Sequence, residues 1–79
     1  MTKSIFSGRY DLFRARLIEA REKADLTQAD VAARLGKFQS FVSKYELGER
    51  RLDVVEFLDV ATALGVEPCK ILMELQKVK

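Results

Sequence analysis

Three residues, Gly36, Lys37 and Phe38, separate two short apolar-periodic runs, and this link constrains the fold more than any other feature of the chain. The first run carries Val31, Ala32 and Leu35, and the second carries Val42 and Tyr45. Those spacings put each set on one side of a helix. A link this short between two short helices predicts a sharp angle between them. Gly36 suits the join because it adopts positive φ without strain. Ala32 is small where the second helix has to pass close by.

The rest of the chain divides in the same way. Tyr10, Phe13, Leu17, Ala20 and Ala24 recur at alternating spacings of three and four, which predicts a first helix from about Tyr10 to Ala24. Thr27 and Asp30 in TQAD have capping-box spacing and start a second helix. The third runs from Phe38 or Gln39 to Leu47. Asp53 and Glu56 in DVVE cap a fourth, with Val54, Phe57, Leu58, Ala61 and Leu64 as its stripe. Gly48 and Gly65 follow apolar runs where helices should stop, and Pro68 fits the first turn of a fifth helix ending near Gln76. No stretch alternates apolar and polar residues over strand length. The expectation is all-α: a compact five-helix domain, residues 1–79, with no sheet, no repeat and no linker. Within it, residues 27–47 form the steep helix pair, 68–79 a C-terminal helix, and 1–7 a loose arm.

Composition excludes several functions. The 79 residues suffice for one small core, and 48% apolar with 33% charged residues is a globular balance. There is no His, and Cys69 is the single Cys, so neither a disulfide framework nor a metal site built from one chain is expected. The usual His and Cys–His chemistries are absent too, so an enzyme is not expected, nor is any cofactor. No apolar run approaches the ~18 residues of a membrane span. The start, MTKSIFSGR, has no signal-peptide pattern. A soluble cytoplasmic protein without membrane contact is the expectation.

The net charge is only +2, but it is unevenly placed. Residues 1–51 hold eleven Lys or Arg against seven Asp or Glu, while residues 52–79 hold three against five. A basic first part and an acidic tail suggest one face for a polyanion and another for a different partner. The third helix sharpens this. Gln39, Ser40, Ser43 and Lys44 lie on the side away from Val42 and Tyr45, and that side carries no carboxylate before Glu46. Amides, hydroxyls and an ammonium are groups that read base edges or hold phosphate. A steep helix pair with a short Gly-containing turn and such a face reads as a helix-turn-helix, whose second helix enters the major groove.

From Leu17 to Pro68 the chain resembles the phage-repressor (Xre/Cro-type, lambda-repressor-like) helix-turn-helix family. LTQADVAARLG, QSFVSKYELGERRL and ALGVEP carry the likeness, which covers about two thirds of the sequence. The resemblance implies a transcriptional regulator, most simply a repressor, binding double-stranded DNA. It implies that Gln28 touches the DNA backbone, in keeping with a helix N-terminus that favours phosphate. It implies that Gln39, Ser40 and Lys44 face base edges with Ser43 beside them, and that Arg50 and Arg51 follow the phosphates. It also implies a partly buried Arg21–Glu46 salt bridge behind the recognition helix, which explains an acid there.

The chain departs from the family pattern twice. Asp25 stands where the family prefers Gly, and Asp tolerates a left-handed turn better than most residues. Phe38 stands where Ser, Thr or Pro is usual, so the third helix loses a side-chain cap. Its ring can either contact thymine methyls, which places it with the base-reading residues, or fold back on Phe41 and Val42. The second is the expectation from apolar character.

The fifth helix has more apolar surface than one core needs. Cys69 and Met73 are four apart beside Ile71, Leu72 and Leu75, with Val66 and Val78 nearby. This excess suggests an interface, and the family resemblance implies a homodimer on a palindromic operator. Cys69 reads most simply as a small buried apolar residue. The competing function is a protein-interaction module, such as an antitoxin whose C-terminal helices bind a partner protein. The carboxylate-free face of the third helix favours DNA.

Overall fold

The computed structural model of the chain describes residues 8–78. Among them are five helices and no strand: α1 (Gly8–Lys23), α2 (Gln28–Leu35), α3 (Gln39–Leu47), α4 (Val54–Leu64) and α5 (Pro68–Lys77). The expected arm at residues 1–7 lies outside the described residues. No described helix is long and apolar enough to cross a membrane.

The helix ends are set by local hydrogen bonds. Asp30 N–H donates to the Thr27 hydroxyl at 3.0 Å, and Thr27 N–H donates to the Asp30 carboxylate at 2.9 Å. Asp53 and Glu56 make the same reciprocal box at the start of α4, at 2.8 and 3.0 Å. Each box satisfies two N–H groups that the first turn of a helix leaves without partners. Gly36 ends α2 at φ 68°, and Lys37 N–H reaches back to the Ala32 carbonyl at 3.0 Å. That hydrogen bond reverses the chain within three residues and starts α3 at once. α1 closes in the same way without a glycine. Asp25 takes φ 59°, and Leu26 N–H donates to the Arg21 carbonyl at 3.1 Å.

α3 packs on α2 and α1, α4 on α1 and α2, and α5 on α1 and α4. Leu17, Val31, Val42, Tyr45 and Val60 are fully buried where these elements meet. Phe13 and Phe57 join α1 to α4 edge to face, with ring centres 5.1 Å apart. Arg16 of α1 pairs with Glu74 of α5, and Arg34 of α2 donates to the Ala63 carbonyl at 2.8 Å.

Several expected inward positions move. Ala24 lies past the end of α1 and is exposed, because the left-handed turn at Asp25 carries the chain away from the core. α4 does not bury the expected stripe. Val54 is 72% exposed and Leu58 45%, while Val60 and Ala63 go inside with Phe57, Ala61 and Leu64. The segment is apolar on nearly every side, so packing against α1 and α2 selects the buried face rather than spacing alone.

Candidate nucleic-acid interface

α2 holds α3 through Val31 and Ala32 against Val42 and Tyr45, all buried. With that side fixed inward, Gln39, Ser40 and Lys44 are exposed together on the opposite side, and Ser43 beside them is half-buried. Leu47 continues the same side one turn on and is 64% exposed. The sequence reading missed it, although its spacing from Ser40, Ser43 and Lys44 was the available signal.

Behind this face is a polar cluster tied to Glu46, which is only 6% exposed. Arg21 approaches its carboxylate with two donors, Nε at 2.7 Å and Nη2 at 3.2 Å. The third guanidinium nitrogen donates to the Leu26 carbonyl at 3.0 Å. Gln28 Nε2 donates to Glu46 Oε1 at 2.9 Å, and Gln39 Nε2 approaches Gln28 Oε1 at 3.4 Å. The structure therefore brings Arg21, Gln28, Gln39 and Glu46 into one chain of hydrogen bonds. This chain holds the Gln28 amide at the start of α2 beside the exposed end of α3, and neutralises the carboxylate.

Arg14 also escaped the sequence reading. Its Nη1 donates to the Glu46 carbonyl at 2.7 Å, so the last turn of α3 is tied to α1. A Cβ on Gly48 would sit 3.1 Å from the Arg14 guanidinium, which favours glycine there together with its φ of 85°. Its pairing with Asp11 three residues back is local, but nothing local marks this second role, because that partner is a main-chain carbonyl 32 residues away.

The two arginines after α3 differ. Arg50 donates two hydrogen bonds to the Glu56 carboxylate, at 3.1 and 2.8 Å, and lies 4.8 Å over the Phe41 ring. Its charge is largely answered within the chain. Arg51 is exposed with its guanidinium 4.3 Å over the Tyr10 ring. Stacking fixes the plane of that fork while leaving its edge toward solvent. The Arg50 contact, with the Asp53 N–H, pushes the Glu56 carboxyl down to about 2.

Phe38 does not fold back. It is 85% exposed, and its neighbour Phe41 takes the inward place against Tyr45, with ring centres 5.6 Å apart. Phe38 occupies the N-cap of α3 with extended backbone, φ −79° and ψ 154°, which turns its side chain out of the helix pair.

The expected interface on α5 is also divided. Ile71 is 7% exposed and belongs to the chain's own core, with Leu75 packed against it. The helix is amphipathic, and α1 and α4 cover that stripe. Cys69, expected to be buried, is exposed in the first turn of α5, off the stripe of Ile71 and Leu75, while Leu72 is 48% exposed and Met73 60%. Leu72 and Val54 line one apolar groove with Tyr10, Phe13, Phe57 and Leu75.

Two short helices packed together, a three-residue turn and a polar, cationic outer face define a helix-turn-helix unit. The helix-turn-helix family matches residues 17–71. An XRE-family-like protein from Pseudomonas syringae pv. tomato str. DC3000 is similar, with 49% identity, a TM-score of 0.87, and coverage of 95% of this chain and 92% of that one. The restriction-modification controller protein C.AhdI from Aeromonas hydrophila is similar at 35% identity and a TM-score of 0.72, covering 78% of this chain and 94% of that one. No curated protein matches. The chain belongs to the XRE family of helix-turn-helix proteins, a family of DNA-binding regulators of transcription.

Proposed function

We propose that the chain is a sequence-specific regulator that binds a palindromic operator as a homodimer in the cytoplasm, most simply as a repressor. The observation that carries this reading is the outer face of α3. Gln39, Ser40 and Lys44 are exposed there, and the nearby acid, Glu46, is buried and paired. In this reading Gln39, Ser40, Ser43, Lys44 and Phe38 meet base edges. Gln28 and Arg51 meet phosphate, and Arg50 does so after partly releasing Glu56.

The homodimer reading is supported by apolar surface away from α3. Val54, Val55, Leu58, Leu72 and Met73 are all 45% or more exposed on α4 and α5. A patch of this kind on a small domain calls for a partner, and a second copy would place two recognition helices about 34 Å apart, one turn of B-DNA. A protein partner on the same patch is the competing reading.

Selection of bound sites from random duplex DNA, with sedimentation of the chain alone and with the selected duplex, tests both parts. The expected result is an inverted repeat bound by two chains, and Leu72→Glu lowering both self-association and operator affinity. Recovery of no preferred sequence, or a single half-site bound by one chain, overturns the proposal.

A further inference from the structure

Phe38 serves neither the core nor the helix it begins. It is 85% exposed and lies outside the residues packed on the core. It makes no side-chain hydrogen bond at the α3 N-cap, whereas Thr27 and Asp53 cap α2 and α4. A polar residue would satisfy that helix end, and a smaller one would spare the exposed apolar area. The exposed ring comes immediately before Gln39 and Ser40 in the chain, and Leu47 is the exposed apolar residue at the far end of α3.

Along the major groove most base-edge features are hydrogen-bond donors or acceptors. The apolar one is the methyl on C5 of thymine. Cytosine presents a bare C5 in the corresponding place, and 5-methylcytosine restores the methyl. We propose that Phe38 reads the 5-methyl group of a pyrimidine in the operator, so that thymine and 5-methylcytosine are accepted there and cytosine and uracil are disfavoured. This rests on the reading of α3 as the groove helix and adds to it the chemistry of one contact. It also makes operator affinity responsive to cytosine methylation when that position is a C·G pair.

The test uses the full chain and a duplex selected from random sequence. Each thymine of the bound site is replaced singly by uracil, which removes only the methyl. In each half-site one replacement should weaken the wild type about four-fold, the value of one buried methyl-sized group. Phe38→Ala should bind the thymine and uracil duplexes equally, while Phe38→Leu keeps part of the difference. With a C·G pair at that position, 5-methylcytosine should bind more tightly than cytosine by the same factor, because only the methyl differs between those two duplexes. A side chain this exposed can be truncated without unfolding, which thermal melts of both variants verify. The proposal is overturned if no thymine is sensitive, if the sensitive thymine stays sensitive in Phe38→Ala, or if Phe38→Ala weakens selected and scrambled duplexes alike. Failure of the wild type to bind any duplex overturns the DNA-binding reading itself, and this assignment falls with it.

Discussion

A carboxylate buried behind a helix that faces a polyanion needs its charge answered from inside the protein. Glu46 receives two donors from Arg21 and one from Gln28. Removing it leaves the Arg21 guanidinium, only 16% exposed, without its partner. Glu46→Ala should therefore cost about 3 kcal/mol, at the lower end for a broken buried pair because Arg21 retains some solvent. Urea unfolding measures this, and a loss under about 1 kcal/mol would mean the pair is solvated like a surface contact. Tyr45 next to it behaves differently. Its hydroxyl is buried without a hydrogen-bond partner among the described residues, and burial pushes its ionisation well above the usual range. Tyr45→Phe removes a desolvated oxygen and nothing it binds, so stability should stay level or rise by up to about 1 kcal/mol. A clear loss in the same unfolding experiment would reveal a partner for that hydroxyl.

At the scale of the elements, what the sequence declares locally is what it declares well. Both capping boxes join residues three apart, and the three glycine ends, Gly36, Gly48 and Gly65, lie next to the runs they close, so helix boundaries could be read from short stretches. Which side of a helix is buried depends on distant neighbours. α4 is apolar on nearly all sides, so Val54 and Leu58 could not be told from Val60 and Ala63 until α1 and α2 were in place. Phe38 and Phe41 pose the same problem within three residues. Only the N-cap geometry decides that the first points out and the second in. Asp25 was legible as a departure, and its cost can be measured. It holds a left-handed conformation at φ 59°, so Asp25→Gly should raise stability by about 0.5–1 kcal/mol. A decrease on denaturant titration would show that the aspartate side chain supports the turn. The join after α3 also has a pH signature. Glu56 falls from an ordinary 4.5 to about 2 in the folded chain, first through Arg50 and then through the Asp53 N–H. A lowered folded value contributes stability that is full above 4.5 and is lost as pH falls toward 2. Glu56→Gln keeps the capping-box geometry but not the charge. It should flatten the fall in melting temperature across that window, and an unchanged acid profile would contradict the assignment.

For the whole molecule, the arrangement separates two surfaces. α3 offers polar and cationic groups, while α4 and α5 expose Val54, Val55, Leu58, Leu72 and Met73, and Arg51 borders the groove that Val54 and Leu72 line. The candidate readout side was legible because inward Val42 and Tyr45 leave Gln39, Ser40 and Lys44 no other place to point. The state of the two arginines was not, since it depends on the Glu56 carboxylate and the Tyr10 ring across the fold. The central claim is that this side of α3 reads sequence rather than merely attracting phosphate. Affinities of the wild type and Gln39→Ala for the selected operator and a scrambled duplex, each across a range of salt, test it most directly. The expected result is a loss of about 1–3 kcal/mol on the operator, little change on scrambled DNA and an unchanged salt slope. An equal loss on both duplexes, or no loss on either, would contradict it.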